Sequence, residues 1–407
     1  MNAANRIMER ADELAAISES DTLLCRRYLT SEHQAANAVM SAWMEAAGMH
    51  TRIDAVGNLI GRYEGLKPGA RTILIGSHLD TVRNAGKYDG PLGVLAGIEC
   101  VARLNKAGQR LSAPIEVIGF CDEEGTRFAT TLIGSHAIAG TFDPSWLTRC
   151  DEHGISMAEA LTTFGLNPSE ISRAKMTTAE IDCFVEVHIE QGPVLESEDL
   201  ALGIVTAISG ASRFQVTVRG TAGHAGTVPM GKRADALAAA AEMILAVESV
   251  ANEFAVVATV GAIEARPGAV NVIAGTATFS LDLRAERDES RRIALSTLFE
   301  RLDNLARNRG VVVSFEPTHE ADACRCDPAL MQELAQALER RGLPAKNLPS
   351  GAGHDAMAMA TLAPVAMLFV RCKGGISHHP AESITGEDAE LACDVLYDFL
   401  LNHESTN

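Results

Sequence analysis

The chain has 407 residues, 47% hydrophobic and 22% charged, which is enough apolar material for sizeable cores at a length where one core usually divides into two domains. Its 35 basic and 53 acidic residues leave a formal charge of −18, and only 4% of residues are aromatic. Such a chain repels phosphate backbones and anionic lipid and offers few stacking platforms, which excludes nucleic acid and membrane surfaces as expected partners.

The N-terminal stretch "MNAANRIMERADELAAISES" lacks the continuous apolar segment of a signal peptide, and no stretch reaches the roughly 18 apolar residues that span a bilayer. A cytoplasmic protein is expected. Nine scattered cysteines, with one C-x-C at Cys324 and Cys326 and no C-x-x-C, suit reduced structural thiols rather than a disulfide framework.

In chain order, "RTILIGSH" reads as a strand buried on both faces, because its apolar run is continuous rather than alternating. "GPLGVLAGIECVARLNKAG" follows as a helix, with Leu95, Ile98, Val101 and Leu104 near helical spacing and Gly108 as its stop. "APIEVIGFCDEEG" and "IDCFVEVHIEQG" are two more strands of the first kind. From about Ser209 the rhythm changes. "SRFQVTVRG" alternates, "RADALAAAAEMILAVESVA" is helical, and "AVVATVGAIEA" and "VNVIAGTATFSLDLRA" are strands. "DESRRIALSTLFERLDNLARNRG" is a helix with Leu295, Leu298, Phe299, Leu302 and Leu305 on one face, and "VVVSFEP" is a last strand. That order, β-α-β-β-α-β, is ferredoxin-like. Apolar strands of the first kind resume at "APVAMLFVR". The expected fold is therefore α/β: a mixed, mostly parallel sheet flanked by helices over residues 1–208 and 325–407, interrupted by a ferredoxin-like domain over 209–324.

In open α/β sheets, ligands bind beyond the carboxyl ends of the strands. His78 and Asp80 follow the first strand, and Asp89 lies on the loop that feeds the next helix. Asp122, Glu123 and Glu124 follow the second strand; Glu186, His188 and Glu190 run along the end of the third; His378 and His379 come after the fourth. One such residue alone is ordinarily a solvated loop side chain. Four clusters, each directly after an apolar run, point to a metal centre, and imidazole with excess carboxylate and no thiolate suits a pair of zinc, manganese or cobalt ions sharing a bridging ligand.

The stretches "DAVGNLIGR", "GSHLDTV", "DGPLGVLAGIE", "DEEGTRF", "VEVHIEQGPVLE", "GHAGTVPM", "VNVIAGTATFSLDLR", "SGAGHDAMAM" and "GGISHHPAE" resemble the dinuclear metallopeptidase and amidohydrolase family (M20-like). Within it they resemble the hydantoinase/carbamoylase branch of allantoate amidohydrolases, N-carbamoyl-L-amino-acid hydrolases and β-ureidopropionases. The resemblance covers nearly the whole chain, and the histidine of "VEVHIEQG" is what points to the amidohydrolase branch.

Carried over position by position, the resemblance implies two divalent ions per subunit, zinc or manganese, with cobalt or nickel as alternatives. His78 and His188 would hold one ion, Glu124 and His378 the other, and Asp89 would bridge them. The spacing S-H-x-P selects His378, with its neighbour His379 as the competing ligand. Asp80 would fix the tautomer of His78. Glu123 would be the general base, taking a proton from water beside the cations and handing it to the leaving nitrogen. His224 would stabilise the oxyanion, and Asn271 and Arg284 would hold the substrate carboxylate, a task that suits the planar guanidinium fork. Gln191, Gly353 and His354 would contact substrate. Because His224, Asn271 and Arg284 fall in the inserted domain, a lid that closes over the substrate is expected, and a homodimer through that domain.

The implied reaction is hydrolysis of the C–N bond of a ureido group on a small carboxylate, allantoate or an N-carbamoyl-L-amino acid. The sequence leaves these two substrates unseparated. The competing readings are a dipeptidase or aminoacylase of the same fold, and a metal-free binding or assembly protein.

Overall fold

Thr72–His78, Ile115–Phe120, Ile181–Ile189 and Val365–Val370 are strands in which every residue is buried. A continuous apolar run fits a strand whose two faces are both covered, and these four lie side by side and parallel at the centre of a sheet. The computed structural model describes residues 3–404. Residues 1–2 and 405–407, which the sequence assigns to the two parts of the larger domain, lie outside the described residues.

The described chain forms two units. The first comprises the residues up to Thr206, Cys326–Leu348 and those from Ala352 on. Its strands run in the order His50–Ile53, Leu59–Tyr63, Ile115–Phe120, Thr72–His78, Ile181–Ile189, Val365–Val370, Leu202–Ile208. The outer strands pair antiparallel, so the sheet is mixed. The hairpin His50–Tyr63 escapes sequence reasoning because its outermost strand, "HTRI", is largely exposed and carries no apolar pattern.

The helix Pro91–Lys106 buries Leu95, Ile98, Val101 and Leu104, and the chain leaves it through Ala107 and Gly108, whose φ is 64°. Its first turn is pressed onto the sheet. A Cβ on Gly93 would sit 2.3 Å from the Val187 carbonyl oxygen, so only glycine permits the approach. That contact brings the loop ahead of the helix, with Asp89, up to the strand that carries His188.

The C-terminal helix Gly386–Asn402 is tied down by His403. His403 Nε2 lies 3.1 Å from Asp182 Oδ2, and its Nδ1 lies 2.6 Å from Glu333 Oε2. Burial opposes the charged ring, but Asp182, Cys183 and Glu333 outweigh it and hold the pKa up to about 11. A pKa above the unfolded value of about 6.5 means stability that is complete below pH 6.5 and lost as pH rises towards 11. His403→Gln should therefore destabilise the protein by about 1.5–3 kcal/mol near pH 6. The gap from wild type should narrow steadily between pH 7 and 11 in denaturant melts. A gap constant over that range would refute the clamp.

The second unit comprises Ala207–Arg325 with Pro349–Gly351. Its main sheet is ordered Ile263–Arg266, Thr276–Ala285, Gly210–Arg219, Val312–Ala321, with Val257–Thr259 also pairing Thr276–Ala285. Thr276–Ala285 alternates half-buried and buried residues along its whole length, as a strand with one covered face should. The helices Ala236–Phe254 and Asp288–Arg309 supply the cover, with Met243, Val247, Leu298 and Leu302 packed against Val216, Phe279 and Leu281. "AVVATVGAIEA" is two strands rather than one. At the break, Ser280 Oγ accepts the backbone N–H groups of Gly261 and Ala262, which takes them out of the ladder. The last strand runs four residues beyond "VVVSFEP", to Ala321, past an irregularity between Pro317 and His319. Among the described residues no helix is long and apolar enough to cross a membrane.

Candidate metal centre

The parallel strands end on one edge of the first unit's sheet, and their ends carry the polar residues. His78 is the last residue of its strand and His188 the next to last of the neighbouring one, with ring centroids 5.8 Å apart. Glu123 and Glu124 follow Ile115–Phe120, and His378 lies eight residues past Val370.

Asp89 sits between them. Its Oδ1 lies 3.1 Å from His188 Nε2 and 3.5 Å from His78 Nε2. Its Oδ2 lies 3.3 Å from His378 Nε2, which is itself 3.4 Å from Glu124 Oε1. The two oxygens thus face different histidines: His78, Asp89 and His188 form one cluster able to hold an ion, and Asp89, Glu124 and His378 another. Of the adjacent histidines, His378 enters a cluster, whereas His379 Nδ1 accepts the Ala381 amide.

The hydrogen bonds prepare the rings for a cation. His78 Nδ1 lies 3.0 Å from the Asp80 carbonyl oxygen, and His188 Nδ1 lies 2.9 Å from the Ile189 carbonyl oxygen. Each Nδ1 therefore carries the proton, leaving Nε2 with its lone pair turned inward. His188 Nε2 is buried and has no hydrogen-bond partner. A nitrogen lone pair facing a carboxylate oxygen at 3.1 Å is repulsive without a positive charge between the two, so the donor set fits a metal ion. Burial raises Asp89, but His188, His378 and His78 outweigh it and hold its carboxyl well below the usual range.

Asp80 does more than orient His78. The nearest acceptor to the ring is its carbonyl, with its carboxylate farther off at 3.5 Å. That carboxylate instead accepts the backbone N–H of Glu123 at 2.9 Å and of Glu124 at 3.1 Å, clamping the turn that presents both glutamates. Burial pushes the Glu123 carboxyl well above its usual value and Glu124 up to about 7. Glu123 groups with His78 and Glu124 and belongs to neither of the clusters that include Asp89.

Three residues expected to touch substrate also lie here. Gln191 donates from Nε2 to Asp89 Oδ2 at 2.8 Å, while its Oε1 is buried without a partner. Gly353 sits where an added Cβ would reach 3.7 Å from Glu123 Oε1, and the buried His354 ring lies 4.5 Å from that of His188. Burial, then the nearby His188, keeps His354 well below the usual histidine value. Sequence reasoning missed Ser377, which donates to Asp89 Oδ2, and Glu382, whose only signal is its place inside "GGISHHPAE".

His224, Asn271 and Arg284 belong to the second unit. His224 and Asn271 meet where a two-residue strand pairs Val272–Ile273: His224 is opposite Val272, and the Ala225 amide donates to the Asn271 carbonyl. His224 Nδ1 accepts the Gly226 amide at 3.0 Å, so its neutral ring carries a proton on Nε2. Arg284 lies on the sheet in a cleft of about 510 Å³. It donates from Nε and Nη2 to Asp282 at 3.0 and 2.8 Å, and from Nη1 to the Gly351 carbonyl.

The profile of peptidase family M20/M25/M40 matches residues 74–402. An N-carbamoyl-L-amino acid amidohydrolase from Geobacillus stearothermophilus is 41% identical over 399 residues, 98% of each chain. An allantoate deiminase from Arabidopsis thaliana is 41% identical over 423 residues, 96% of this chain and 81% of that one. Among solved structures, an amidase of the hydantoinase/carbamoylase family from Burkholderia multivorans is 33% identical with a TM-score of 0.91, covering 98% of this chain and 97% of its own.

Proposed function

Because the chain belongs to peptidase family M20/M25/M40, in its hydantoinase/carbamoylase branch, we propose that it hydrolyses the C–N bond of a ureido group on a small carboxylate, allantoate or an N-carbamoyl-L-amino acid. The observation that carries the reading is Asp89, whose Oδ1 faces His188 and His78 and whose Oδ2 faces His378, with Glu124 beside that histidine. The residues suited to hold two divalent ions are His78 and His188 on one side, Glu124 and His378 on the other, and Asp89 between. Such ions supply positive charge that acidifies water and polarises the carbamoyl carbonyl.

The chain's own groups do the rest. Glu123, held by Asp80 through its backbone amide, takes a proton from the attacking water and returns it to the nitrogen that leaves. Gln191 Oε1, an acceptor in want of a donor, suits a ureido N–H. His224 offers its Nε2 proton to the oxygen that gains charge at the carbamoyl carbon. Arg284 spends three of its five N–H groups on Asp282 and Gly351, which leaves one on each Nη, the pair that meets a carboxylate end-on.

The assay is release of ammonia and the deureidated product by the manganese-loaded enzyme. Allantoate, N-carbamoyl-β-alanine and several N-carbamoyl-L-amino acids are the test substrates, with a dipeptide and an N-acetyl amino acid as controls. Turnover of the controls alone would overturn the reading. Arg284→Ala should raise KM for carboxylate-bearing ureido compounds by at least about tenfold, the loss of a charge-assisted pair. An uncharged carbamoyl analogue should change far less, and equal effects on both would remove Arg284 from the substrate.

A further inference from the structure

Glu382 has no part in the chemistry above, yet it is 4% exposed and joins two distant loops. Its Oε1 accepts the backbone N–H of Tyr88 at 2.8 Å and of Asp89 at 3.1 Å. Its Oε2 lies 3.3 Å from Ser377 Oγ, the hydroxyl that donates to Asp89 Oδ2. One side chain therefore holds the backbone that leads into the shared aspartate and, through Ser377, reaches that aspartate's carboxylate.

Gly86 makes the seat. A Cβ added there would sit 2.2 Å from the Glu382 carboxyl carbon and 2.3 Å from its Cβ and Oε1. The loop backbone at Gly86 lies along the whole length of the glutamate, and a residue with any side chain would push the two apart.

The two ion clusters differ in what holds them. His78 and His188 project from ends of adjacent parallel strands, fixed by the backbone ladder. Glu124 and His378 lie on loops, and His378 and its neighbour Gln191 take φ values of 55° and 57°, a conformation that non-glycine residues keep only when their surroundings impose it. With two of its three ligands on loops besides the shared Asp89, the second cluster needs more side-chain bracing than the first.

We infer that Glu382, seated against Gly86, is a positioning residue that sets Asp89 Oδ2 and the Ser377–His378 loop together for the second ion, and that the first ion, held also by the two strand-end histidines, depends on it much less. This rests on the two-ion reading of the site. Outer contacts of this kind change metal affinity by about 10–100-fold. Metal-free full-length protein titrated with Mn²⁺, followed by calorimetry and by the paramagnetic signal of the free ion, resolves the two binding steps.

In Glu382→Ala and Gly86→Ala one step should weaken by about 10–100-fold while the other stays within about threefold. Glu382→Gln, which keeps an acceptor oxygen for the Tyr88 and Asp89 amides, should stay near wild type. Thermal melts identify the folded variants; should Glu382→Ala not fold, Gly86→Ala against Glu382→Gln makes the same comparison. Equal weakening of both steps, or of neither, in folded protein overturns the inference while leaving the two-ion reading intact. A wild-type chain that takes up fewer than two ions overturns the two-ion reading and this inference with it.

Discussion

Glu123→Gln should keep the metal content of the wild type and lose about two to four orders of magnitude in turnover number, the range that a positioned general base supplies. Glutamine preserves the shape, and the turn stays anchored because Asp80 binds the backbone N–H of residue 123 rather than its side chain. What disappears is the ability to accept a proton. Metal should remain because Glu123 lies outside both clusters that contain Asp89. Glu124→Gln is the contrasting variant, since it removes a carboxylate 3.4 Å from His378 and should weaken metal binding directly. Metal analysis beside steady-state kinetics separates the two. Unchanged turnover in Glu123→Gln sinks the base assignment, and loss of metal would make Glu123 a ligand instead.

Asp89→Asn should have the larger effect on the site itself. The substitution removes the negative charge that both clusters share and places an amide, a donor, against histidine nitrogens whose lone pairs point inward. Fewer ions should remain per chain, and activity should fall by more than the about 10–100-fold that changes to outer contacts cost. In the wild type a chelator should abolish activity, and manganese or zinc should restore it. The asparagine variant should not recover. Wild-type metal content in the variant, or full activity of wild-type protein stripped of ions, would refute the metal assignment.

Strand identity was legible in "RTILIGSH", "APIEVIGFCDEEG", "IDCFVEVHIEQG" and "APVAMLFVR" because a strand covered on both faces is apolar along most of its run rather than at alternate steps. Since parallel strands bring their carboxyl ends to one edge, the same runs implied that His78, Glu124, His188 and His378 would converge. The hairpin His50–Tyr63 was not legible, because an exposed edge strand is held by its partner's backbone and needs no apolar pattern.

What the sequence by itself determined is therefore the layering of the fold and the chemical type of its site, both of which follow from periodic burial and from residue chemistry at strand ends. Only the tertiary structure decided how the groups divide their bonds. It turned the two oxygens of Asp89 to different histidines, and it gave the Asp80 carboxylate to the amides of Glu123 and Glu124. It also closed Gly86 over Glu382, nearly three hundred residues along the chain. The physical reason is that a hydrogen bond has range and direction but no period. Loops in positive-φ conformations, such as those at Gln191 and His378, aim side chains by contacts that leave no repeating trace in the order of residues.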